Sequence, residues 1–188
     1  MSLKFTQDEQ KFLGKLTIAT GIAWPVGLIV TIVLSYGVVN LFYPKDTNLI
    51  AGLCIGAVVA FSQWLIMKRY FKIGTWWIFA AAIGMGLPFV IEFIFFELRG
   101  NELSITGIEL LEPAVFLFVC GLITGLLQYS SLKLLTSKFR WWIIISALAW
   151  GLGWFGLMLG GVIFGLISGI TFLRLFKLPV NVDLDKGE

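Results

Sequence analysis

The chain has 188 residues, 59% of them hydrophobic and 13% charged, with a formal net charge of +3 and a mean hydropathy of +0.94. A soluble domain carries about a quarter charged residues, so there is too little polar surface here to cover a water-facing globule. Histidine is absent, which removes the commonest metal ligand, the usual general base and any histidine-ligated haem.

The apolar runs are long and do not alternate, so they predict helices that satisfy their own backbones in lipid, not an outer-membrane barrel. Residues 1–15 contain a short amphipathic helix, opened by a capping box at Thr6-Gln7-Asp8-Glu9. Phe12, Leu13 and Leu16 form its apolar side and Lys4, Lys11 and Lys15 its wet side, which suits the membrane interface. The first span follows over 16–42. It is too long for a cleavable signal region, lacks a small-residue cleavage site, and carries Pro25 as a kink. A polar turn, Tyr43-Pro44-Lys45-Asp46, leads to the second span at 48–67, closed by Lys68, Arg69 and Lys72. The third span covers 75–96 with Pro88 in its middle. An acidic connection, 97–112, holds a second possible capping box at Thr106–Glu109. The fourth span starts at Pro113, a favoured first helical residue, and runs to 135. Residues 141–177 must hold two more spans although a span needs about 20 residues. They predict a short hairpin, followed by a polar tail at 178–188.

Charge placement orients these spans. Twelve of the 14 lysines and arginines lie at the N-terminus, the 68–72 turn, the 133–140 turn and the C-terminal end; Lys45 and Arg99 fall on the other side. Under the positive-inside rule both termini are cytoplasmic. Trp64, Tyr70, Trp76, Trp77, Tyr129, Trp141 and Trp142 then form the cytoplasmic aromatic belt.

A 65-residue shift brings Gly56 onto Gly121, Ala60 onto Gly125, Gln63 onto Gln128, Lys68 onto Lys133 and Trp76-Trp77 onto Trp141-Trp142. A looser third copy stands at Gly161, Gly165 and Ser168. A two-span unit inserted repeatedly keeps its orientation, so the expected fold is all-α: a six-span bundle of three parallel hairpins, 16–67, 75–135 and 141–177. Positions i, i+4 and i+7 share one helix face. Small residues there let backbones approach, and a polar side chain adds an interhelical bond. Gln63 and Gln128 therefore read either as glue between helices or as the lining of a polar gate.

Glu92 is the one acid inside a span. It lies sixteen residues after Trp76, roughly 24 Å along the axis at ~1.5 Å per residue, near the outer boundary of the membrane. It reads either as a residue reaching interfacial water or as a ligand site. If the last hairpin is short, an outward vestibule opens beside it, lined by Trp150 and Trp154, flanked by Glu92 and roofed by the acidic loop. Aromatic rings under negative charge suit a cationic or amphiphilic ligand. Cys54 and Cys120 lie inside apolar runs and read as small core residues, with no CxxC and no metal cluster. No paired carboxylates, Ser/Lys set, Cys/His set or phosphate loop is present, so no catalytic residue, cofactor or metal is expected. The cations are scattered over turns, as topology requires, and no nucleic acid is expected as a partner.

The phrase G-x3-[AG]-x2-Q-[WY] followed by a Trp-Trp pair resembles uncharacterised polytopic membrane proteins of bacteria, frequent in cyanobacteria. That resemblance covers most of 50–177 and implies an inner or thylakoid membrane without an assigned activity. The span count, length and cytoplasmic termini are also similar to the substrate-binding subunits of energy-coupling-factor vitamin transporters, with no binding residue carried over. Two functional readings follow. One is a non-catalytic accessory or self-associating subunit whose glycine faces meet other membrane helices. The other is a protein that binds or transports a small solute or cation through the vestibule.

Overall fold

The structure is a computed structural model that describes residues 5–39, 47–99, 112–132, 140–156 and 159–176. Six α-helices run in order: α1 (Gln7–Leu34), α2 (Thr47–Met67), α3 (Trp76–Arg99), α4 (Glu112–Leu132), α5 (Arg140–Phe155) and α6 (Gly160–Phe176). A π-helical turn, Ser35–Val39, follows α1, and no strand occurs among the described residues. The fold is all-α. Segments 7–37, 49–67 and 113–132 are long and apolar enough to cross a membrane, and 76–91 and 160–175 form shorter apolar helices. The last two helices have 16 and 17 residues, about 24–26 Å of axis at ~1.5 Å per residue.

The predicted capping box starts α1. The Thr6 hydroxyl accepts from the Glu9 amide at 3.3 Å, and the Glu9 carboxylate accepts from the Thr6 amide at 2.8 Å. No separate interfacial helix follows, however. Nothing between residues 15 and 16 breaks the hydrogen-bond ladder, and α1 runs unbroken through Pro25. Phe12 is buried, packing edge-on against Tyr70 at 4.9 Å and Phe71 at 5.9 Å. The amphipathic stretch is thus the first part of α1, and it docks onto the turn after α2. That turn is tied down by the Trp64 indole, which donates to the Ile73 carbonyl at 3.1 Å, while the Lys68 ammonium sits 4.0 Å above the same ring.

Each helix packs chiefly on its neighbours in chain order, and α6 returns to α1, so the six helices close a ring. Glycines line every seam, and those of the repeated faces make three of the six. A Cβ added at Gly56 on α2 would stand 2.5 Å from the Ala81 carbonyl oxygen of α3 and 3.0 Å from the Met85 Cβ. One at Gly121 on α4 would meet the Ala147 Cα and the Ser146 carbonyl oxygen of α5 at 2.7 Å, and the Trp150 Cβ at 3.0 Å. One at Gly161 on α6 would meet the Thr20 carbonyl oxygen and the Trp24 Cβ of α1 at 2.6 Å. Gly125 and Gly165 lie equally close to Ile143 and Thr17. Only glycine permits backbones this near, and close backbone approach is the means by which helices associate in lipid. The predicted small-residue faces therefore turn toward helices of the same chain.

The outside of the ring is apolar. Ile18, Ile22 and Ile29 on α1, Phe79, Ile83, Leu87 and Ile91 on α3, and Ile144, Leu148 and Leu152 on α5 are all exposed, at spacings that keep each row on one face. Within the helices, Thr20, Gln63, Thr124, Gln128, Ser146 and Ser168 are buried inside. Greasy rows outward and hydroxyls and amides inward reverse the order of a water-soluble bundle.

Candidate functional site: a buried polar belt

The three repeated glycine seams define a common register for the odd helices. Thr20, Ala81 and Ser146 stand against the glycines, with Trp24, Met85 and Trp150 one turn beyond. One turn to the other side stand Leu16, Trp77 and Trp142, all buried. On the even helices the repeat supplies the matching rows: Val59-Gln63-Met67, Thr124-Gln128-Leu132 and Phe164-Ser168-Phe172. All eighteen of these side chains are buried. Spacing of four residues keeps each row on one face.

Leu16, Met67, Trp77, Leu132, Trp142 and Phe172 belong to one buried apolar cluster. Phe172 stands edge-on to the rings of Trp77 at 5.7 Å and Trp142 at 4.9 Å, while those two rings lie 5.3 Å apart. Trp24, Val59, Met85, Trp150 and Phe164 form a second cluster, with Trp150 at 5.4 Å from Trp24 and 4.7 Å from Phe164. Among and between these clusters lie the buried polar side chains Thr20, Gln63, Gln128, Ser146 and Ser168, spread over more than a turn in depth: Thr20 and Ser146 stand against the glycine seams, while Gln128 reaches Trp142 and Trp77. None is ionisable.

Hydrogen bonding inside this belt is uneven. Gln128 is fully engaged: its Oε1 accepts from the Trp142 indole at 2.9 Å and its Nε2 donates to the Trp77 carbonyl at 3.5 Å, joining α4 to α5 and α3. The Thr20 hydroxyl donates to the Leu16 carbonyl at 2.7 Å. In contrast, among the described residues Gln63 Nε2, Ser146 Oγ and Ser168 Oγ have no hydrogen-bond partner, nor do Trp77 Nε1, Thr124 Oγ1 and Trp150 Nε1 nearby or Thr17 Oγ1, Ser35 Oγ and Tyr70 Oη elsewhere. A buried polar group left unpaired costs about 1–3 kcal/mol, so this concentration at the centre of the ring requires a physical reason.

The expected site residues divide accordingly. Gln63, Gln128 and Ser168 are buried in the interior, and Gly56, Ala60, Gly121, Gly125, Gly161 and Gly165 are buried in the helix seams. Trp150, expected to line an outward vestibule, is 1% exposed and sits in the core between Trp24 and Phe164. The close approach at Gly121 draws its Cβ inward. Glu92 lies in α3 and Trp154 in α5, with their side chains outside the described residues, as are the acidic loop, the Thr106–Glu109 capping box and the tail at 178–188. Reading the sequence missed Thr20, Ser146 and Thr124. Their signal is a lone hydroxyl at the middle of an apolar span. Among the described residues no group of three or more His, Cys, Asp or Glu could hold a metal. The chain matches no family model, no curated protein and no solved structure.

Proposed function

We propose that this chain is a multi-pass protein of a bacterial inner membrane, six spans in three parallel hairpins with both termini cytoplasmic, whose ring of helices binds or passes a small neutral solute at its centre. The observation that carries the reading is the polar belt. Thr20, Gln63, Gln128, Ser146 and Ser168 are buried in the interior of the ring, and among the described residues Gln63 Nε2, Ser146 Oγ and Ser168 Oγ have no hydrogen-bond partner. A purely architectural core would be expected to be apolar or fully bonded. The apolar outer rows and the cation bias support the membrane placement, and the register shared by the three repeated glycine seams supports the triple hairpin.

The test is flux. Purified protein is reconstituted into liposomes, and shrinkage and reswelling after a glycerol or urea gradient are followed by light scattering. Faster reswelling than in empty liposomes, abolished by Ser168→Phe and unaffected by Glu92→Gln, is the expected result. Equal rates with and without protein end the reading. A second reading, an accessory subunit that meets other membrane proteins or its own copies, rests on the exposed apolar rows of α1, α3 and α5, because the glycine faces are used inside the chain. Stoichiometric co-purification from native membranes is the result that favours it.

A further inference from the structure

We infer that the seam between α2 and α3 holds a site for the oxygen atom of a small neutral guest, with the Gln63 amide and the Trp77 indole as its donors. The inference rests on reading the belt as a place for a guest, and it specifies where in the belt and what kind of guest.

Two equivalent seams behave differently. On α4 and α5, Gly121 faces Ser146, and seven residues further along α4 Gln128 bonds Trp142, which precedes Ser146 by four. On α2 and α3, Gly56 faces Ala81. Gln63 again lies seven residues on, and Trp77 again precedes Ala81 by four. Neighbouring helices of opposite direction in the same register bring Gln63 to the level of Trp77. Yet here both N–H donors, Gln63 Nε2 and Trp77 Nε1, lack partners, although both side chains are at most 2% exposed.

The neighbouring helix supplies the reason. Gln128 is held in its bonding pose by its Nε2, which donates back to the Trp77 carbonyl on α3. In the common register the corresponding carbonyl for Gln63 is that of Leu16 on α1. That carbonyl already accepts from the Thr20 hydroxyl at 2.7 Å, in addition to its place in the helix ladder. The residue corresponding to Thr20 on α3 is Ala81, which has no hydroxyl to compete. One hydroxyl therefore separates a closed glutamine–tryptophan pair from an open one.

The open pair selects its guest by charge and polarity. Two N–H groups present hydrogen to an acceptor, and the neutral amide and indole supply no negative charge to hold a cation. No cationic side chain is present in the belt to neutralise an anion, whose transfer into an apolar interior is costly. A neutral molecule with a hydroxyl or carbonyl oxygen fits: a small polar solute or water.

The indole N–H of Trp77 reports directly on an acceptor. The full-length protein, labelled with 15N-tryptophan and held in lipid nanodiscs, gives one indole signal for each of its 8 tryptophans, with Trp77→Phe and Trp142→Phe identifying two of them. Glycerol and urea serve as titrants, and magnetisation transfer from water detects bound water. The expected result is a response confined to Trp77: a saturable shift with a titrant if the guest is a solute, or a water cross-peak without a shift if it is water. Trp142, bonded to Gln128, shows neither. Thr20→Ala, which removes no donor from the site, frees the Leu16 carbonyl, lets Gln63 close onto Trp77 and abolishes the response. Gln63→Leu weakens it, and the unchanged signals of the other indoles show that both variants are folded. Absence of any response at Trp77, or a response that persists unchanged in Thr20→Ala, overturns the inference. Solute flux in liposomes without a Trp77 response removes this site while leaving the solute reading intact, so the two failures are distinguishable.

Discussion

Single residues act here mainly through what they exclude. The seam at Gly121 has no room for a methyl group, because a Cβ would stand 2.7 Å from the Ala147 Cα, which is backbone and cannot rotate away. Gly121→Val is therefore expected to destabilise by about 1–3 kcal/mol or more through overpacking. Gly14→Ala, inside α1 with nothing within 4 Å, is expected instead to stabilise by up to about 1 kcal/mol through helix propensity and to raise the thermal unfolding temperature in detergent slightly. Gln128→Leu removes the bond to Trp142. It is expected to lower stability by about 0.6–2 kcal/mol, with Trp142→Phe adding little on top, as a double-mutant cycle reads. Tyr70 lies in the turn after α2, and burial pushes its phenol above the ordinary value, against a downward pull from Arg69 and with a smaller upward push from Asp8. The folded state then holds that proton more tightly than the unfolded state. The contribution is complete below the unfolded value of about 10 and is lost as pH rises through the folded one. Stability measured from pH 9 upward should fall more steeply in the native protein than in Tyr70→Phe. The positions Gly56, Gly121 and Gly161 were legible as packing residues because their spacing repeats. Thr20 was not, since one threonine in an apolar run gives no sign of which carbonyl its hydroxyl takes.

At the scale of the element, the helices follow local rules that a sequence exposes well. The capping box at Thr6 sits where its spacing predicts, and Thr6→Ala is expected to cost about 0.5–2 kcal/mol and to speed amide exchange in the first turn of α1 alone. The Trp-Trp pairs show where local rules stop. Both members of each pair fit an interfacial belt by composition, yet Trp76 and Trp141 are exposed while Trp77 and Trp142 are buried in the first cluster. Successive residues on a helix differ by about 100° in direction, so one of two adjacent rings turns inward, and the neighbouring helix decides which. The exposed Trp76 still finds a partner, donating to the Leu127 carbonyl of α4 at 3.0 Å. The N-terminal stretch was misread for a similar reason. Its amphipathic pattern suits a membrane surface and a protein surface equally, and the pocket formed by Tyr70 and Phe71 exists only once α2 has ended and turned.

The whole molecule is a ring closed by contact between its first and last helices. A Cβ at Gly21 on α1 would stand 3.0 Å from the Val162 Cγ2 and 3.9 Å from the Val162 Cα on α6, so side chains at these two positions touch across the closing seam. In a background with Cys54 and Cys120 replaced by alanine, Gly21→Cys with Val162→Cys is expected to form an intramolecular disulfide on mild oxidation. After proteolytic cleavage between α3 and α4, the two halves should remain linked on a non-reducing gel. Separation of the halves would show that the ring does not close in the membrane. The sequence by itself determined the class of object: apolar runs with too little charge to face water become helices, and glycines in register become seams, because both depend only on composition and period. Tertiary structure alone decided which carbonyl each hydroxyl and amide reaches. Pairing inside the belt depends on how helices from different hairpins meet, where a single methyl or hydroxyl on a neighbour closes one glutamine and leaves another open.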